Sequence, residues 1–268
     1  MARLAQPSQV QQESQLDIQS EQSTEDDIIE TIASAVEAAP QLTPDLAEEP
    51  VEEALESAEQ PIEEEIEPYM SPVDFDALWA INPDIYAWIY IPNTEISYPI
   101  LQHDSDDDYY LSHDCYGNDS PLEGSIFTEK TYTSEEFTDP VTVVYGHRLK
   151  TGTMFSTLQS TYSTAEGMAD CKEIMIYLPD REYHYTVVAA VPYDNRHILY
   201  NYDFSSNRMF RAFLNSIYSV REIGAVFDQD TVASPKDRLL ILSTCLYGNA
   251  QKRYLVLAKC EEDINSPS

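Results

Sequence analysis

Leu239-Leu240-Ile241-Leu242-Ser243-Thr244-Cys245-Leu246-Tyr247 is an apolar run in which two hydroxyl residues stand just before a cysteine. The run predicts a buried strand over 239–243, and Gly248-Asn249 beyond it predicts a turn. The thiol therefore sits at a strand exit, where loops and sites concentrate. A little further on, Arg253 opens a second apolar run, Tyr254-Leu255-Val256-Leu257-Ala258. Far upstream, Val141-Thr142-Val143-Val144-Tyr145-Gly146 is a β-branched run that ends on His147. Strand ends thus carry a thiol, an imidazole and a guanidinium. A cysteine nucleophile needs a base or cationic partner to become thiolate, and acyl transfer needs a group to stabilise the oxyanion.

Around these runs the pattern is of many short strands with few helices. Tyr86–Ile91 and Ile96–Leu101, joined through Pro92-Asn93-Thr94-Glu95, read as a hairpin. Further strands are predicted at 124–127, 141–146, 173–178, 183–191 and 254–259. Ser71-Pro72-Val73-Asp74 reads as an N-cap with proline at the first helical position, opening a short helix that stops near Asn82-Pro83. Another short helix is predicted around Met154–Leu158. A longer one spans about 206–220, with Met209, Phe210, Phe213, Leu214, Ile217 and Tyr218 at helical spacing. This mixture predicts a mainly β, barrel-like domain and not a doubly wound sheet.

The chain has 268 residues and a net charge of −33, but the acid is unevenly spread. Residues 1–74 hold twenty Asp/Glu and one base, Arg3. Such a segment cannot bury enough apolar surface to offset its ordering entropy. The expected organisation is an acidic disordered tether over 1–68, a catalytic domain over 69–262 and a flexible end over 263–268. The remainder beyond residue 74 still carries 28 acids against 14 bases, so nucleic acid and anionic membrane are poor partners. No stretch approaches the roughly 18–20 apolar residues of a spanning helix, and Met1–Val10 lacks the apolar core of a signal peptide.

Among the histidines, only His147 ends a clean apolar strand. His103 and His113 flank the acid run Asp104–Asp108, His184 lies within a strand pattern, and His197 sits in a polar loop. The acid run superficially resembles a calcium loop but lacks the glycine and glutamate such a loop requires. It reads as a solvated turn. Cys115, Cys171 and Cys260 have no metal-ligand spacing. One disulfide among those three is open, with no pairing favoured.

Together these residues resemble the sortase family, most of all its class B. Leu242-Ser243-Thr244-Cys245 with Arg253 is similar to the family's Leu-x-Thr-Cys…Arg signature, and Tyr145-Gly146-His147 to its histidine motif. Trp79…Asn82-Pro83-Asp84-Ile85-Tyr86-Ala87-Trp88-Ile89 and Tyr109-Tyr110-Leu111 are similar to its N-terminal half. The helix at 206–220 resembles the extra helix of class B. The chain departs from the pattern at Asp107, where class B carries an asparagine before Tyr-Tyr-Leu, and in showing no membrane anchor.

The resemblance implies a closed eight-stranded β-barrel and an extracytoplasmic cysteine transpeptidase acting on C-terminal sorting signals of surface proteins or pilins. Cys245 would attack the carbonyl of a threonine-containing motif and His147 would exchange the proton. Arg253 would stabilise the oxyanion or orient the peptide, and Ser243, Thr244 and Tyr145 would line the substrate groove. The acceptor would be an amine, from a cell-wall cross-bridge or a pilin lysine. No metal or organic cofactor is required. Two other readings remain open: a hydrolytic cysteine peptidase, with water as acceptor, and a non-enzymatic surface binding protein in which Cys245 is buried and inert.

Overall fold

The computed structural model describes residues 69–265. The expected acidic tether, 1–68, lies outside the described residues. Among the described residues nine strands form one sheet: β1 Ile85–Tyr90, β2 Ser97–Leu101, β3 Ile126–Phe127, β4 Val141–Tyr145, β5 Glu173–Tyr177, β6 Arg181–Asp194, β7 Val226–Phe227, β8 Leu239–Leu246 and β9 Asn249–Asn265. Their order is β5-β1-β2-β3-β4-β8-β9-β6-β7, and β5 also pairs with β6. Eight strands therefore close on themselves, as the resemblance to the sortase family implies, and β7 is an appendage on β6. Closure removes the free edges that an open sheet would expose. The β2–β3 and β4–β8 pairs are parallel and the others antiparallel.

Strand alternation divides the apolar residues into two cores. Inside the barrel lie Ile89, Val144, Ile176, Leu240, Leu242, Val256 and Tyr254 among others. Outside it, Val141, Val143, Leu239, Ile241, Leu255 and Leu257 form a second cluster, which a helix covers. That helix, α5 (Asn207–Tyr218), presents Phe210, Phe213, Leu214 and Ile217 at intervals that put them on one face. Burying each such side chain contributes on the order of 1.5–3 kcal/mol. The short helices are α1 Phe75–Ile81, α2 Leu158–Tyr162, α3 Ala165–Asp170 and α4 Ile198–Asn201.

Four local expectations change. Asp74, not Ser71, caps α1, its carboxylate accepting from the Ala77 amide at 3.0 Å. Ser71 instead accepts from the nearby Val73 amide. The helix expected at 154–158 begins only at Leu158, because Met154 has φ of 55°, outside the helical region. Strands β6 and β9 are longer than their apolar stretches, pairing from Arg181↔Asn265 to Asp194↔Lys252, so β9 runs past the expected boundary at 262. Solvated polar side chains on such a ribbon keep their ladder bonds but leave no apolar signal. β7, α3 and α4 have no counterpart in the sequence reading.

Candidate active site

β8 determines where the thiol points. Leu240 and Leu242 face the barrel interior and Leu239 and Ile241 the outer cluster. Continuing the alternation turns Thr244 inward and Ser243 and Cys245 outward. On β9, Tyr254 and Val256 are inner and Leu255 and Leu257 outer, which turns Arg253 outward as well. The β8–β9 register sets Cys245 directly opposite Arg253. On the other side, β4 runs parallel to β8 with Tyr145 opposite Ser243, and the Gly146 amide donates to the Ser243 carbonyl at 3.1 Å. His147, just beyond, therefore emerges beside Cys245 at the carboxyl ends of the parallel pair.

Here the outer cluster runs out and a cleft of about 220 Å³ opens, lined by Cys245, His147, Arg253, Ser243, Tyr145 and Thr244 among other residues. All six side chains singled out from the sequence are thus brought together. Thr244 differs in orientation: it is buried, and its hydroxyl has no hydrogen-bond partner among the described residues. Cys245 is half-buried, with Arg253 Nη1 at 3.7 Å from its sulfur. Arg253 Nη1 also donates to the Ala250 carbonyl, which holds the side chain across the turn.

His147 Nε2 lies 2.7 Å from the carbonyl of Leu111, at the end of the turn Tyr109–Leu111. A carbonyl only accepts, so Nε2 carries the proton, and Nδ1 is the nitrogen left to gain or lose one. The contact depends on Gly124. A Cβ there would fall 2.7 Å from the Leu111 oxygen and 3.0 Å from the His147 ring, and its φ is +55°. Gly146 is required for a different reason: a Cβ there would collide with Ile126 and with Phe155. Arg148 stacks on the Tyr247 ring at 4.3 Å, linking the segments that follow His147 and Cys245.

The cleft also contains residues that the sequence reading passed over. Glu129, just after β3, is buried, and burial pushes its carboxyl up despite the neighbouring His197 and Tyr145. Its Oε2 accepts from the Tyr145 hydroxyl at 3.0 Å and its Oε1 from His197 Nε2 at 2.8 Å. Burial and the Glu129 charge keep the Tyr145 hydroxyl protonated well beyond its ordinary range. His103, His113 and His184 engage other groups: Nδ1 of His103 accepts from the Asp106 amide, His113 pairs with Asp119 and His184 with Glu182. In the acid run, Asp104 is engaged by Lys130 at 2.9 Å. The described cysteines are all free thiols, so no disulfide forms among Cys115, Cys171 and Cys260.

The family model for the sortase domain matches residues 89–261. Sortase B of Listeria monocytogenes is 33% identical over 175 residues, 63% of this chain and 65% of that protein. Thus the chain spans somewhat less than two thirds of that relative's length. Among solved structures, Clostridium perfringens sortase B superposes with a TM-score of 0.60 at 26% identity, covering 70% of this chain and 100% of that one. A Staphylococcus aureus sortase B–substrate complex superposes with a TM-score of 0.60 at 28% identity, covering 70% and 84%.

Proposed function

The chain belongs to the sortase family, and from that premise we propose that it is a class B cysteine transpeptidase working at the cell surface. Its substrate is a C-terminal sorting signal containing threonine, and its acceptor is an amine from a cell-wall cross-bridge or a pilin lysine. The observation that carries the reading is the Cys245–Arg253 contact of 3.7 Å in a cleft that also holds His147.

The reaction follows from these groups. The Cys245 thiolate adds to the threonine carbonyl carbon, and the carbonyl oxygen becomes an oxyanion that Arg253 donors stabilise. The carbon–nitrogen bond then breaks as the imidazolium of His147 gives its Nδ1 proton to the departing amine, leaving a thioester on Cys245. The Leu111 carbonyl supports the cationic ring by accepting from Nε2. The acceptor amine attacks the thioester, its proton passes to His147, and the thiolate departs. Ser243 and Tyr145 border the path of the peptide and Thr244 backs it from the barrel side. This chemistry uses no metal or organic cofactor.

A hydrolytic peptidase would share the first half of this reaction. Product analysis with a sorting-signal peptide separates the two: an added amine should appear in the product, and water-only products at all amine concentrations would favour hydrolysis. A non-enzymatic binding protein would show no cleavage. Against it stands the placement of Cys245 at the cleft and not within either core.

A further inference from the structure

Glu129 joins two parts of the cleft that are remote in sequence. Tyr145 ends β4, two positions before His147, whereas His197 caps α4 on the connection from β6 to α5. The hydrogen bonds fix the protonation of this trio. The backbone amide of Tyr200 donates to His197 Nδ1 at 3.1 Å, so that nitrogen holds a lone pair and Nε2 holds the proton. Nε2 therefore donates to Glu129 Oε1, while the Tyr145 hydroxyl donates to Oε2. Each oxygen of a buried carboxylate is engaged by a donor from one wall of the cleft. The ring of Tyr132 lies 4.8 Å from that of His197 and limits its movement.

We propose that Glu129 is a positioning residue for peptide capture: by accepting from Tyr145 and His197 together, it holds the β6–α4 wall at a set distance from the strand end that leads to His147. Glu129 hydrogen-bonds Tyr145 and His197 and not Cys245, Arg253 or His147, so the pair governs how the sorting peptide seats and not how reactive the thiol is. This rests on the reading of the cleft as a peptide site. The alternative, a purely structural hydrogen bond, would leave peptide binding unaffected so long as the protein stays folded.

The test uses the full chain and a sorting-signal peptide that it cleaves. His197→Asn keeps a side-chain oxygen to cap α4 but cannot reach Glu129, and Glu129→Ala removes the acceptor itself. Each is expected to raise KM about tenfold with kcat within about threefold, the signature of lost uniform binding. The double variant is expected to be no worse than either single one, because both changes break one shared interaction. Alkylation of Cys245 by iodoacetamide should proceed at the wild-type rate in all three. Because His197 is partly exposed, His197→Asn carries the test alone if Glu129→Ala lowers the melting temperature. Unchanged KM in a folded His197→Asn, a fall confined to kcat, or additive effects in the double variant would overturn the proposal. Failure of the wild-type protein to turn over any such peptide would instead overturn the function on which it rests.

Discussion

Cys245 and Arg253 face each other across the antiparallel β8–β9 pair, with Arg253 Nη1 3.7 Å from the sulfur. The turn between these strands holds the cation beside the sulfur, with Arg253 Nη1 also donating to the Ala250 carbonyl.

Arg253→Lys keeps the charge and removes the planar fork of donors. If that fork binds the oxyanion or holds the peptide carbonyl, turnover of a matched peptide should fall about a hundred- to a thousandfold, roughly 3–4 kcal/mol. Lys252→Ala is the control. Lys252 pairs with Glu222 at 2.7 Å on the surface, and such pairs contribute about 0–1 kcal/mol. Wild-type turnover in a folded Arg253→Lys protein would place the oxyanion donor elsewhere.

His147→Ala should abolish turnover and leave the melting temperature little changed, since the side chain lies in the cleft and outside both cores. Alanine at His103, His113 or His184 should cost little activity. Gly124→Ala should behave like a partial His147 defect, because its Cβ would press on the Leu111 carbonyl and the His147 ring. Circular dichroism and peptide turnover on the same samples check each of these.

Brief alkylation of the native protein should label Cys245 ahead of the other thiols. Burial, aided by Asp114, pushes the Cys115 thiol up to about 11. Burial raises Cys171 and Cys260 also, the latter despite Arg238. A raised thiol pKa means less thiolate at neutral pH, by about tenfold per unit. Labelling of Cys115 should accordingly accelerate as pH is raised toward 11. Mass mapping across pH checks the order, and Cys115 labelling before Cys245 at neutral pH would contradict it.

Phe213→Ala removes a fully buried ring from the face of α5 that covers the outer cluster. A loss of about 3–5 kcal/mol is expected. Denaturant titration measures it, and a change below about 1 kcal/mol would mean that α5 is not an integral part of the fold.

Much of this was legible in the sequence. The uninterrupted apolar run of β8 marks a strand buried on both faces, and that burial continues through Ser243 and Thr244 to end at Cys245. The spacing to Arg253 is that of a tight antiparallel pair. What sequence could not supply was register: that β4 lies parallel to β8 with Tyr145 opposite Ser243 depends on long-range closure of the barrel. His197 reads as a polar-loop residue in the sequence, where nothing local points to its partner Glu129, 68 positions away. No local pattern marks that carboxylate as buried, although the apolar Ile126-Phe127 just before it is a weak signal. The helix expected around 154–158 is displaced because Met154 takes a positive φ, which its residue type does not announce.

The central claim is that Cys245 forms a thioacyl intermediate that an amine resolves. Intact-mass analysis of the protein mixed with a sorting-signal peptide tests this directly. The account predicts an adduct with the mass of the peptide's N-terminal fragment, mapped to Cys245. It should disappear on adding an amine as the ligated product appears, and it should be absent in Cys245→Ala. Cleavage or ligation by Cys245→Ala at the wild-type rate, with no adduct on the native protein, would contradict it.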